Sequence, residues 1–252
     1  MSHFEDYGES YRSIRMRREG GILELTFHSD GGPLQWGDIP HEEFPRAFHD
    51  IATDDENRVV VMTGTGDEWS GPNATPASFP RNTARGWESI RAAGVRLIDN
   101  LLSIPVPVIS AVNGPARRHA EIPLLADIVL AAPRAAFQDS AHVPNRLVPG
   151  DGIEIAILRL LGLNRGRYFL LTGQRLDAQQ AMELGLVAEV LPPRDLLARA
   201  WELASQLAQN NPLVLRYTKL LITHQLRQDT HTLLGYGLAL EGLGVVDVTS
   251  TE

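Results

Sequence analysis

Val59-Val60-Val61-Met62-Thr63, closed by Gly64-Thr65-Gly66, is a nearly unbroken apolar run that ends in a turn. A strand with one wet face alternates apolar and polar residues, whereas a run without alternation must be covered on both faces, as parallel strands are. Two more such runs follow: Val108–Val112, behind Pro105 and Pro107 and closed by Asn113-Gly114-Pro115, and Asp127-Ile128-Val129-Leu130-Ala131. Three buried strands separated by helical stretches predict an α/β fold on a parallel sheet.

Upstream, alternating runs over 11–16 and 22–27, joined by Glu19-Gly20-Gly21, predict a β-hairpin, and residues 1–11 read as a loose tail. Phe44, Ala47, Phe48 and Ile51 recur at helical spacing within 41–52, with Pro45 early in that helix, where a missing N–H costs least. Residues 64–84 are rich in Gly, Pro, Asn, Ser and Thr and form a long loop of the kind that carries function, before a helix over 86–103. Beyond Gly152 the pattern is helical, over 153–172, 177–185, 193–210, 212–227 and 229–245. Asp177 caps one start, Gly185 terminates that helix, and Pro192-Pro193 and Asn211-Pro212 mark later starts. The expected organisation is a flexible tail at 1–11, an α/β core over 12–192 and a helical C-terminal region at 193–252. No internal repeat of fixed period is visible.

The 252 residues suffice for a substantial core. A formal net charge of −8 repels polyanions, so nucleic acid is not an expected partner. The one dense basic cluster, Arg12, Arg15, Arg17 and Arg18, reads as a solvated strand face. The chain has no cysteine, which excludes disulfides, thiolate metal sites and cysteine nucleophiles. Its first residues are polar and acidic and no run of 18 apolar residues occurs, so the expectation is a cytoplasmic protein without membrane contact.

Among eight histidines, His3, His28, His49, His224 and His231 sit in surface-like settings. His41, His119 and His142 each lie in a connecting segment beside an apolar element, where α/β proteins place ligands. No HxH or HExxH pair is present, and a metal is not expected. A GxSxG elbow is missing, Ser110 falls inside a strand, and the glycines at 64–66 lead into neither a dinucleotide nor a P-loop motif. His142 and Asp151 stand nine residues apart across a Pro-rich loop. An imidazole has a reference pKa of about 6.5, near working pH, and an acidic partner can orient it.

The order of segments resembles the crotonase (enoyl-CoA hydratase/isomerase) superfamily over about residues 14–245. It is carried by 59–75 (VVVMTGTGDEWSGPNAT), 104–115 (IPVPVISAVNGP), 121–140 (EIPLLADIVLAAPRAAFQDS), 149–152 (PGDG) and 162–192 (GLNRGRYFLLTGQRLDAQQAMELGLVAEVLP). The resemblance implies a spiral of ββα units with a helical trimerisation region, often assembled as a trimer or a dimer of trimers. Two loops depart from the family pattern. Members read roughly FxAGADL and NGxxxGGGxEL there, and peptide N–H groups of both loops form the oxyanion hole for a CoA thioester. Here the first loop is Trp69-Ser70-Gly71-Pro72-Asn73-Ala74 and the second is 113–123 (NGPARRHAEIP). A proline has no N–H, and His119 takes the place of a glycine. Glu121 falls where hydratases keep a catalytic glutamate, and His142 where they commonly carry a second.

These departures resemble the β-diketone hydrolases, the branch that includes 6-oxocamphor hydrolase. Leu34-Gln35-Trp36, His41 at a helix start, 113–123, 137–152 (FQDSAHVPNRLVPGDG), 164–174 (NRGRYFLLTGQ) and 238–244 (LALEGLG) match that branch. The implied reaction is hydrolysis of a C–C bond in a cyclic or bicyclic β-diketone to a keto acid (retro-Claisen cleavage), without cofactor or metal. The functional positions implied are Trp36, His41, His119, His142, Asp151 and Glu241. His142 is the expected base and Asp151 its orienter. His119, Trp36 and His41 are expected to offer N–H groups to the carbonyl or enolate, and Glu241 to pair with an imidazole or deliver a proton to carbon. Asp139 is a second candidate partner for His142. Two alternatives stay open: a hydratase or isomerase of CoA thioesters, and a non-catalytic protein of the same fold.

Overall fold

The computed structural model describes residues 2–78 and 80–250. Residues 2–11, expected to be a loose tail, are packed instead. They contain a single helical turn, α1 (Phe4–Tyr7), and Tyr7 is buried, donating to Asp54 (2.9 Å) and accepting from Asn57 (3.0 Å). The hairpin strands β1 (Ile14–Glu19) and β2 (Ile22–Phe27) pair antiparallel around Gly20 and Gly21, both at positive φ. β1 starts later than the alternation placed it because Tyr11 leaves the ladder to donate to Asp50. Arg12, Arg15 and Arg17 are exposed, as expected of a solvated face, and Arg18 alone of the cluster is half-buried. Arg17 pairs with Glu24 and lies over the Trp201 ring, and Arg18 pairs with Asp54 and Glu56.

Each later strand of the main sheet is followed by a short strand in a second layer and then by a helix. β2 leads to β3 (Leu34–Trp36) and α2 (Asp38–Thr53). β4 (Val59–Gly64) leads to β5 (Ser70–Ala74) and α3 (Ala84–Ser103). β6 (Val108–Val112) leads to Ala116 and α4 (Glu121–Leu124). β7 (Ile128–Ala131) leads to β8 (Ala136–Phe137) and α5 (Ile153–Thr172). In the main sheet β2, β4, β6 and β7 are parallel neighbours in that order. In the second layer β3 pairs with β5, Ser70 bridges to Ala116, and Ala116 bridges to Phe137. This is the spiral of ββα turns that the resemblance implies. The main-sheet strands begin at residues 22, 59, 108 and 128, so the turns differ in length and leave no sequence period. β9 (Leu176–Asp177) extends the second layer, α6 (Ala178–Glu183) follows with the Asp177 capping box, and β10 (Glu189–Val190) closes the main sheet beside β7.

The three unalternated runs are covered on both faces, as their sequence requires. On one face α7 (Pro193–Ala208) lays Leu196, Ala200 and Ala204 against Val59, Val61, Ile109 and Leu130. On the other, Val60, Met62 and Val108 share a core with Phe44 and Phe48 of α2 and Leu97 and Leu101 of α3. The helix expected at 41–52 begins at Asp38, which places Pro45 inside it. The helices expected at 212–227 and 229–245 are one, α8 (Pro212–Ser250). Across the polar stretch that reads as a break, Thr223, Thr230 and Thr232 turn their hydroxyls back onto the carbonyls of Lys219, Leu226 and Gln228, so these polar side chains find partners within the helix. The C-terminal helices are therefore part of the core's packing. Lys219 of α8 donates to Asp127 (2.7 Å), which also accepts the Val108 N–H, and this contact sets α8 on the path that carries it over the spiral.

α2 is pinned from its buried side by Glu43, which accepts N–H bonds from Arg12 (2.9 Å) and Ser13 (2.8 Å) and the Ser13 hydroxyl. Glu43→Ala strands the buried Ser13 N–H and hydroxyl and is expected to cost about 2 kcal/mol in urea unfolding. His41 sits two residues away, so the same contact fixes its height beside the second layer.

Candidate active site

The second layer ends where the helices begin, and the chemically capable residues gather there. Trp36 is the last residue of β3, His41 lies in the first turns of α2, and His119 precedes α4. His142 and Asp151 bracket the loop between β8 and α5, and Glu241 comes from α8. All six line one cavity of about 320 Å3, walled by Trp87, Leu97 and Leu238, so the structure brings every expected site residue together. Gly150 and Gly237 let α8 reach this loop, since a Cβ on either would collide with the other's backbone. That approach delivers Glu241 to His142, with Nε2 3.4 Å from Oε1.

The partners differ in detail from the expectation. His142, 4% exposed, bonds through Nδ1 to Asp139 (2.8 Å). Asp151 sits on the opposite side of that ring, 3.6 Å from Nε2, and 3.3 Å from Nδ1 of His119. Asp139 therefore orients the ring, and Asp151 lies between the two imidazoles. The i, i+3 spacing of Asp139 and His142 was the signal for this pairing, because a 3-10 turn (Val143–Asn145) opens at His142 and folds the chain back on itself. A second correction concerns the donors. Trp36 gives its indole N–H to His41 Nε2 (3.0 Å), and His41 Nδ1 lies 2.8 Å from the Gly37 carbonyl, which only an N–H can satisfy. Neither residue has an N–H left over for a ligand. They form a rigid wall, with the Trp36 ring against His119 at a centroid distance of 3.9 Å.

His119 stands at φ +51°, a left-handed conformation that non-glycine residues rarely adopt. By the resemblance it stands where the family pattern has a glycine, the residue that adopts this conformation without strain. Such strain persists where the surroundings over-determine it, and here Trp36, Glu121 and Asp151 all hold the ring. The neighbouring backbone is spent on the second layer, since Ala116 N–H donates to the Ala136 carbonyl and Arg117 N–H to Ser70.

Charge in the cavity is unevenly distributed. Burial would lower the His142 pKa, but Asp151, Asp139 and Glu241 outweigh it and push it up to about 12, so the ring is an imidazolium at neutral pH. Burial lowers His119 to about 4 and His41 to about 3, leaving both neutral. Burial also raises the Glu241 carboxyl, whereas the His142 charge holds Asp151 below the usual carboxylate range against its own burial.

His119 Nδ1, Glu121 Oε1 and Asp151 Oδ2 lie within 4.8 Å of one another, the grouping among the described residues nearest to a metal-ligand set. The first two are 2.6 Å apart, a hydrogen-bond distance, whereas two ligands on one zinc ion stand about 3.3 Å apart. The arrangement is a proton-sharing cluster. Nearby, burial and the Asp151 charge push Glu154 up to about 8. Trp87 and Leu238 also line the cavity and had no distinguishing signal in the sequence, because their approach depends on the paths of α3 and α8.

The chain is similar to known proteins over most of its length. A family model described as enoyl-CoA hydratase/isomerase matches residues 38–237. A putative enoyl-CoA hydratase/isomerase of Bacillus subtilis is 32% identical over 188 residues, covering 73% of this chain and 69% of that one. Among solved structures, a β-diketone hydrolase from the cyanobacterium Anabaena sp. PCC 7120, bound to (S)-3-oxocyclohexyl acetic acid, is 44% identical. It covers 97% of this chain and 98% of its own, at a TM-score of 0.92. An enoyl-CoA hydratase/isomerase from Mycobacterium paratuberculosis is 26% identical over 93% of this chain and 94% of its own, at a TM-score of 0.84. No helix among the described residues is long and apolar enough to cross a membrane.

Proposed function

Because the chain belongs to the enoyl-CoA hydratase/isomerase (crotonase) family, yet fills its site with histidine and carboxylate side chains, we propose that it hydrolyses a C–C bond of a cyclic β-diketone. The observation that carries this reading is His119, a strained imidazole set in the cavity opposite His142 with Asp151 between them. The 44% identity to the Anabaena hydrolase supports it. The cavity is of a size that encloses a small ring compound between apolar walls, with a few convergent polar groups.

Cleavage needs a proton acceptor for water, donors for two oxygens, and a proton for carbon. His142 is an imidazolium at neutral pH and cannot be the acceptor, so that role passes to Asp151, the ionised group between the rings. Water loses its proton to Asp151 as its oxygen attacks one ketone carbon, and the alkoxide that forms is stabilised by the His142 imidazolium. Collapse of the alkoxide to a carboxylic acid breaks the C–C bond, and the electron pair becomes an enolate on the second carbonyl. His119 donates to that oxygen. Glu241, whose carboxyl burial raises above the usual carboxylate range, gives a proton to carbon and recovers one through His142 from Asp151. The carboxylic acid product ionises to solvent, and protons balance.

This assignment fixes a pH profile. With His119 neutral above about pH 5 and His142 charged well past neutrality, kcat/KM is expected to stay flat from about pH 5 to 7. An inflection near 6.5, the ordinary histidine value, contradicts the charge states. The reading itself is tested by incubating the protein with a cyclic β-diketone and, separately, with crotonyl-CoA. Ring opening to a keto acid in the first and none in the second supports it; hydration of the thioester alone overturns it.

Leu163, Tyr168 and Leu171 of α5 and Val214, Tyr217, Leu221 and Ile222 of α8 are exposed apolar side chains. We propose that this surface joins copies of the chain as a trimer or a dimer of trimers, which sedimentation equilibrium resolves from a monomer.

A further inference from the structure

We propose that Glu121 is a neutral carboxylic acid whose O–H donates to His119 Nδ1 and so fixes that ring as the Nε2–H tautomer. Glu121 is then a positioning residue, and what the Nε2–H binds, a substrate carbonyl or enolate oxygen, rests on the diketone reading. Three observations lead here. Glu121 is 1% exposed, and its Oε1 lies 2.6 Å from His119 Nδ1. A second acid, Asp151, approaches the same nitrogen at 3.3 Å. His119 is clamped over Trp36, so the ring cannot turn to exchange its nitrogens without losing that contact.

Two acids converging on one ring nitrogen allow two proton arrangements. If Nδ1 carries the hydrogen, a neutral imidazole faces two buried carboxylates, and two negative charges share a space with little solvent. If Glu121 carries it, only Asp151 is charged, and His142 on its other side compensates that charge. Burial and then the Asp151 charge hold the Glu121 carboxyl well above the usual carboxylate range, which selects the second arrangement. The consequence for the site is a change of sign. An Nε2–H attracts a carbonyl oxygen, whereas the other tautomer would present a lone pair and repel it. Glu121 occupies the place of a hydratase catalytic glutamate, and here it is turned away from chemistry to hold a donor in position.

The test is the tautomer itself, read by long-range 1H–15N spectra of the full chain labelled with 15N-histidine and assigned with His119→Ala. The expected His119 signals are a pyrrole-type Nε2 and a pyridine-type Nδ1. Glu121→Gln, whose amide N–H replaces the O–H, keeps that pattern and keeps kcat within about 3-fold, while Glu121→Met releases the tautomer and lowers kcat by about 10-fold or more. A pyrrole-type Nδ1 in the unaltered protein overturns the proposal, and so does a Glu121→Met protein with the original pattern. Neither reading needs turnover. A protein that cleaves no diketone but shows the Nε2–H ring refutes the diketone reading and leaves this one standing.

Discussion

Asp151→Asn lowers kcat on a cyclic β-diketone by about 10²- to 10⁴-fold and leaves the fold intact, the range expected when a general base is removed. The amide has the carboxylate's shape, so the hydrogen bond from the Ile153 N–H to its side-chain oxygen survives. What it lacks is the charge. Asp151 is the largest of the groups that raise the His142 pKa, so in the variant that pKa falls from about 12 toward the ordinary range. The residual activity should therefore bend with pH where the unaltered protein is flat. A variant with full turnover removes Asp151 from the mechanism. One with reduced turnover and an unchanged profile keeps Asp151 but removes its hold on His142.

His119→Gly and His119→Ala each lower kcat/KM by about 10²- to 10³-fold, the usual loss for one donor to a developing oxyanion. The pair also separates chemistry from folding. Both variants lose the imidazole and its contact with Trp36, but alanine must still adopt φ +51° and glycine does so freely. The glycine variant is expected to be more stable than the alanine variant by about 1 kcal/mol, measured by denaturant unfolding. Equal stabilities would mean that the backbone relaxes and that His119 is not strained. Equal activity to the unaltered protein would mean that the donor lies elsewhere.

Much of the fold was legible because burial leaves a pattern. The unalternated runs at 59–63, 108–112 and 128–131 could only be covered strands, and the capping pair Asp177 and Gly185 fixed a short helix. The short second-layer strands were not legible. β8 and β9 have two residues each, too few to show a period, and their pairing depends on chain segments far apart in sequence. The tail was misread because its packing rests on two tyrosines whose partners lie about 40 or more residues away.

The site divides the same way. His41, His119, His142 and Asp151 stood out by type and by their places in or beside connecting segments, Trp36 and Glu241 only through the resemblance, and the cavity unites all six. Their connections did not stand out. Sequence separation cannot tell that Asp139 takes His142 Nδ1 and leaves Asp151 between two rings, or that Trp36 and His41 use their N–H groups on each other and on Gly37. Those contacts change the chemistry, because they decide which ring is charged and which nitrogens remain to meet a ligand.

The most direct measurement of the central claim is hydrolysis of a cyclic β-diketone in 18O-enriched water, read by mass spectrometry of the product after a single turnover. The expected product is a ring-opened keto acid with one 18O atom in its new carboxyl group and none in the surviving ketone beyond what that ketone exchanges without protein. An unopened diketone, or a keto acid without label in its carboxyl group, contradicts it.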